Sequence, residues 1–159
     1  MYKRQLLARA EEWLDLDALA AGRGSDATSG LRGLLGWRES ARLDEVVPET
    51  ITVPSGSRIR IDYPEPGSDT SPVLAVKLQE CFGWADGPTV CDGRVRVVLH
   101  LLSPARRPLA VTDDLASFWA SVYPAVRVEN RGRYSKHPWP EDPMTATPTK
   151  RTNRALRGN

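Results

Sequence analysis

Arg94-Val95-Arg96-Val97-Val98-Leu99-His100-Leu101-Leu102, followed by Ser103-Pro104-Ala105-Arg106-Arg107 and Pro108-Leu109-Ala110-Val111, decides the fold. The stretch begins in strict alternation, with Arg94 and Arg96 against Val95 and Val97, and then turns wholly apolar apart from His100. Alternation marks a strand with one wet face, and a short apolar run marks one buried on both. Pro104 to Arg107 is a turn signal, so Pro108–Val111 is predicted to return as the second arm of a hairpin. Upstream, Arg58-Ile59-Arg60-Ile61-Asp62-Tyr63 alternates in the same way behind the turn Pro54-Ser55-Gly56, with Ile51 and Val53 before it. Val73-Leu74-Ala75-Val76 predicts another strand, running into a short helical turn over Lys77–Phe82 that stops at Gly83.

Outside this strand region the apolar period changes from 2 to 3.6. Leu6, Leu7, Ala10, Trp13 and Leu14 lie on one face of a helix. Thr28 or Ser29 can cap a second helix carrying Leu31, Leu34 and Leu35, and a third is expected over the charged run Arg38–Glu45, ending at Pro48. Downstream, Thr112 reads as an N-cap with Asp113 and Asp114 in the first turn, where a helix dipole favours acids. Leu115, Phe118, Trp119 and Val122 then form a stripe. Pro124 ends or kinks that helix and suits the first position of another running through Arg133. The expected fold is α+β: N-terminal helices over residues 1–49, a small mostly antiparallel sheet with C-terminal helices over residues 50–143, and a basic, mobile tail over residues 144–159.

The totals exclude several functions. The 159 residues, 40% apolar and 26% charged, suit one ordinary globular domain. The opening Met1-Tyr2-Lys3-Arg4-Gln5 leads into an acid-bearing amphipathic stretch, not a secretory signal. No apolar run approaches the ~20 residues that span a bilayer, so no membrane partner is expected and the expected compartment is the cytoplasm. Cys81 and Cys91 lack a CxxC or histidine ligand pattern, so no metal site is expected, and buried free thiols are the simplest reading. Phosphate-binding, nucleophile-elbow and zinc-protease motifs are absent. His100 sits in an apolar strand, where a core or interface imidazole is the simpler reading. Asp113-Asp114 reads as a cap, and Cys81 has no basic neighbour to activate it. No catalytic residue is expected.

Binding leaves a clearer trace. The net charge is only +2, but eight basic and three acidic residues between Arg127 and Arg157 leave +5 there. Arg127, Arg131 and Tyr134 share a helix face, and Arg133, Lys136, His137 and Trp139 extend it. Cations neutralise phosphate and aromatic rings stack bases, so the pattern fits single-stranded RNA. The plainer alternative is a solvated helix face with Tyr134 and Trp139 packed on the core. Lys150 and Arg151, with Arg154 and Arg157, make the tail a second polyanion contact. Arg58 and Arg60 could join Arg94 and Arg96 on one sheet face if their strands pair, or simply face solvent.

Four strings occur together in order: Val53–Tyr63, Leu74–Gly83, Leu99–Pro108, and Arg131-Gly132-Arg133-Tyr134-Ser135-Lys136-His137-Pro138-Trp139-Pro140-Glu141-Asp142-Pro143. From about residue 30 to residue 150 the chain resembles the C-terminal domain of HrpB-type bacterial helicases, of the DExH-box (DEAH/RHA) group. The resemblance implies an ATP-dependent RNA helicase in which a two-lobed RecA-like motor precedes accessory domains. No motor motif occurs in this chain, so ATP and Mg²⁺ are implied only for the motor, and the chain should be non-catalytic alone. It is expected to be a C-terminal portion of a longer polypeptide, with Met1 not a natural start. The implied roles are RNA contact or support of the RecA-like core. The alternative is a protein-docking module anchored by Trp139 and the Pro-rich turn.

Overall fold

The computed structural model describes residues 2–24, 26–65 and 67–157. The chain forms two compact units, Met1–Val46 and Val47–Asn159. The first is built of short helices: α1 (Tyr2–Ala8), α2 (Ala10–Trp13), α3 (Leu16–Ala20), α4 (Ala27–Gly33) and α5 (Trp37–Val46). The single amphipathic helix expected at the start is interrupted at Arg9, whose φ of −114° and ψ of 24° leave the helical region. Asp15 caps α3 by accepting from Ala18 N. The cap of α4 is Asp26, which accepts from the N–H groups of Thr28 and Ser29 at 3.1 Å each. The residues expected to cap are thus the ones being capped: a carboxylate placed two and three residues upstream reaches both free amides. Gly30 lets α4 approach α2, because a Cβ there would run into the Trp13 carbonyl.

The second unit is α+β. It contains β1 (Thr50–Thr52), β2 (Arg58–Arg60), β3 (Val73–Lys77), β4 (Thr89–Val90), β5 (Val95–Arg96), β6 (Val98–Leu102) and β7 (Pro108–Thr112). Three small sheets form where one was expected: β1–β2, β4–β5, and a central sheet in the order β3-β6-β7. The hairpin β6–β7 is antiparallel as its sequence predicts, but β3 pairs parallel to β6, in the register Leu74↔Leu99 and Val76↔Leu101. Parallel neighbours need a long crossover, and residues 78–97 supply it, with a 3₁₀ turn at Leu78–Cys81 and the β4–β5 hairpin inside it. The register places Leu74, Val76, Leu99 and Leu101 together on one face, each 1% exposed or less.

An aromatic layer covers that face. Asp114, not Thr112, caps α6 (Leu115–Ser117), accepting from Ser117 N at 3.0 Å. Thr112 instead folds its hydroxyl back onto Asp114, as acceptor from the amide and donor to the carbonyl. The helix then widens into a π turn over Phe118–Val122 and continues as α7 (Tyr123–Arg133). Pro124 therefore sits in the first turn of α7 without ending the helical run. It brings no N–H and its ring crowds the carbonyl four residues back. The wide turn, in which Tyr123 N donates to Phe118 O, absorbs both effects. Trp119 stacks edge-on against Phe118 and Tyr123 at centroid distances of 5.0 and 5.4 Å, and Phe82 closes the layer 6.1 Å from Trp119.

Beyond α7 the chain folds back over this layer. Tyr123 Oη donates to Pro140 O at 2.8 Å, and Trp139 Nε1 donates to Tyr134 O at 3.2 Å. Gly83 N reaches Pro143 O, Thr149 N reaches Gln79 O, and Asn153 N reaches Lys136 O. Composition suggests a mobile tail past Met144. The structure instead seats this stretch on the core, with Ala146 packed against it and Thr149 buried, before α8 (Asn153–Arg157). No helix among the described residues is long and apolar enough to cross a membrane.

Trp139 is a core residue, 9% exposed. Trp139→Ala is expected to lower the unfolding free energy by about 3–5 kcal/mol, measured by urea denaturation; a loss under about 1 kcal/mol, typical of exposed positions, would contradict its place in the core.

Candidate nucleic-acid interface

A groove of about 800 Å³ lies beside β2 and β3. Four cations from four separate segments line it: Arg58 on β2, Lys77 at the end of β3, Arg106 in the β6–β7 turn, and Lys150 from the folded-back C-terminal stretch. Each arrives for a local reason. Alternation in β2 half-buries Ile59 and leaves Arg58 and Arg60 exposed. Lys77 is the point where the apolar run of β3 stops. The hairpin turn is tied at Ser103, whose N–H donates to Arg107 O at 2.8 Å and whose Oγ accepts from Arg107 N at 3.0 Å. That tie holds Arg106 at φ +61°, a left-handed value that non-glycine residues seldom adopt. Lys150 is brought in by the neighbouring bond from Thr149 N to Gln79 O.

None of these four cations forms an ion pair among the described residues. Arg58 donates to Thr50 Oγ1 at 3.1 Å. The one acid in the wall, Glu80, is 6% exposed and accepts from Ser55 Oγ at 2.7 Å. Ile59, Ala75, Val76 and Leu102 also line it, in a groove whose surface is mostly polar. Four cations with little self-neutralisation form a surface that attracts a polyanion.

The residues singled out in the sequence divide between this groove and structural work. Arg58 and Lys150 line the groove. Arg60 points to solvent and lies 3.9 Å from Glu49, both about four-fifths exposed, a pair worth little. Arg94 and Arg96 do not join them, since β2 pairs with β1 and β5 with β4. Arg94 turns to Cys91 O and Asp92, and Arg96 to Asp113 O.

On α7, Arg127 is drawn inward. Its side chain is 20% exposed, donates from Nε to Trp139 O at 2.9 Å, and pairs with Glu141 at 3.2 Å. Trp139 lies in the core and Tyr134 packs against it, so neither ring is a free stacking platform. Arg131, Arg133 and Lys136 are exposed, and none of them forms an ion pair among the described residues; Arg151 is exposed beside Lys150. His137 is half-buried, and burial first, then the nearby Lys77 charge, lower its pKa, which keeps it neutral at pH 7. The sequence pattern does not single out Lys77 and Arg106. The only trace was an Arg-Arg pair in a turn and a lysine ending a strand. His100 and Cys81 do not line the groove; Cys81 is fully buried and burial pushes its thiol pKa up.

Comparison with known proteins places this unit. The model of the family described as "ATP-dependent helicase C-terminal" (HrpB_C) matches residues 10–143. The chain is 48% identical over 154 residues to the ATP-dependent RNA helicase HrpB of Escherichia coli K12, covering 94% of this chain and 19% of that protein. The crystal structure of the E. coli DExH-box NTPase HrpB superimposes with a TM-score of 0.84 at 48% identity, over 94% of this chain and 19% of that one. A second, of the E. coli DEAH/RHA helicase HrpB, gives 0.65 at 45% identity, over 86% and 17%. The chain therefore spans about one fifth of the length of these relatives.

Two outcomes are expected. Arg127→Ala lowers stability by about 1.5–3 kcal/mol, because Trp139 O loses its donor; an unchanged urea midpoint would contradict that role. His137, with its folded pKa below the ordinary value of about 6.5, contributes stability that is complete above that value and is lost as pH falls through the lowered one. Urea midpoints should therefore decline on acidification, and His137→Gln should flatten the decline. An identical profile in the variant would exclude His137 as its source.

Proposed function

Because the chain belongs to the ATP-dependent helicase C-terminal family, we propose that it is the accessory domain of an ATP-dependent RNA helicase and holds single-stranded RNA by its phosphates in the Arg58–Lys77–Arg106–Lys150 groove. The convergence of four unpaired cations from distant points of the chain carries this reading. Phosphate contacts position a strand without reading its sequence, which suits a surface working beside a stepping motor. The motor would be a RecA-like core in the same cytoplasmic polypeptide, and ATP and Mg²⁺ would act there. This chain would contribute binding, with no catalytic group. Arg131, Arg133, Lys136 and Arg151 would extend the cationic surface, with Arg60 at its edge. Arg127, Tyr134 and Trp139 would act indirectly, by holding the folded-back segment.

One observation favours a docking role as a second reading. A shallow, mostly apolar hollow of about 430 Å³ is lined by Trp119, Ala120, Pro143 and Met144, among others. It would suit a protein partner, such as the motor, and predicts no salt-sensitive RNA binding. Trp139, the anchor expected from the sequence, is buried and unavailable for this.

Fluorescence anisotropy with labelled single-stranded RNA at about 50 and 200 mM salt separates the two. Four phosphate contacts predict a roughly fifty-fold loss of affinity across that range, and Arg58→Ala/Arg106→Ala should reduce the log–log salt slope by about 1.4. No binding at the lower salt would refute the groove and leave the apolar hollow as the working surface.

A further inference from the structure

Glu80 is out of place in a phosphate-binding groove. The residue is 6% exposed and lines the groove together with the four cations. One carboxylate oxygen, Oε2, accepts from Ser55 Oγ at 2.7 Å, and Ser55 Oγ lies 3.2 Å from Ser57 Oγ. Ser55 N also donates to the Glu80 backbone carbonyl at 3.3 Å, so the residue is held from both ends. The other oxygen, Oε1, has no partner among the described residues, and none of the four cations forms an ion pair with Glu80. A largely buried carboxylate with one oxygen tied and the other open to the groove is a fixed hydrogen-bond acceptor.

An acceptor of this kind repels phosphate and favours a ligand group that can donate. A strand whose phosphates rest on the surrounding cations brings one ribose 2′-hydroxyl per nucleotide past this wall, whatever its bases. We propose that Glu80 accepts a hydrogen bond from a ribose 2′-hydroxyl and is the residue by which the groove distinguishes RNA from DNA. The cations supply affinity common to both polymers, and Glu80 supplies the difference, because the 2′-hydroxyl is what separates the two at a given contact. This inference rests on the groove being the RNA site.

The test compares three oligomers of one base, about eight nucleotides long: oligouridylate, its 2′-deoxy form, and its 2′-fluoro form. The fluoro form keeps the RNA-like sugar pucker but has no donor. Anisotropy at fixed low salt is expected to show RNA about tenfold tighter than both others, the effect of one hydrogen bond to a charged group. Glu80→Gln, checked for an unchanged fold by circular dichroism, should shrink the gap, because the neutral amide accepts more weakly from the 2′-hydroxyl than the carboxylate does. Equal binding of all three by the unmodified protein, with the salt slope intact, would overturn the Glu80 assignment and leave the groove standing. Loss of all binding would overturn both. Preference for RNA over DNA, with the fluoro form binding as tightly as RNA, would assign the discrimination to sugar pucker and also overturn it.

Discussion

The apolar face shared by β3 and β6 is the constraint on which the second unit depends. Leu74, Val76, Leu99 and Leu101 present a strip that must be covered, and Phe82, Phe118, Trp119 and Tyr123 cover it. Each aromatic ring buries a large area and adds edge-to-face contacts to its neighbours. Once that layer forms, little freedom is left to the segments around it. The helix must keep Phe118, Trp119 and Tyr123 turned inward past Pro124, and the π turn does so. Tyr123 Oη and Trp119 Nε1 need acceptors at its rim, and the chain returning from α7 supplies the first while the crossover after β3 supplies the second. Pro140 O and Trp84 O provide them at 2.8 Å each.

This return path divides the basic C-terminal region between two tasks. Arg127 and Trp139 face one another across the turn and become part of the framework. A guanidinium bound to a main-chain carbonyl and a carboxylate has few donors left for an external anion. The same path brings Lys150 to the groove, opposite Arg58 and Arg106. The framework residues and the groove residues are thus linked: the segment fixed by Arg127 is continuous with the one that carries Lys150.

The groove is electrostatically incomplete by itself. Like charges gathered without counter-charges repel, and the folding free energy of the core must offset that repulsion. Such an arrangement is what a surface for a polyanion requires, since cations already paired internally would have to give up those pairs on binding. Arg94, Arg96 and Arg127 are occupied in this internal sense, whereas Arg106 and Lys150 are not.

Much of the fold was legible from local pattern. Alternation in Arg58–Tyr63, the apolar run ending at Leu102 and the turn at Pro104–Arg107 depend on neighbours a few residues away, and so do the helical stripe at Leu115–Trp119 and the family strings. The strand partners and the full groove were not legible. Alternation shows that β2 has a wet face but not which strand lies beside it, so it leaves open whether Arg58 and Arg60 share a face with Arg94 and Arg96 or simply meet solvent. A basic helix face with aromatics has the same composition whether the rings are free or buried, so the sequence leaves both readings of Arg127 and Trp139 open. The sequence by itself determined the α+β class, the hairpin and the membership of the family, because these follow from short-range periodicity and contiguous strings. Only the tertiary structure decided which cations converge and which are spent on the framework. The groove joins residues 58, 77, 106 and 150, and contacts at that separation are set by how the buried faces pack, which no local window contains.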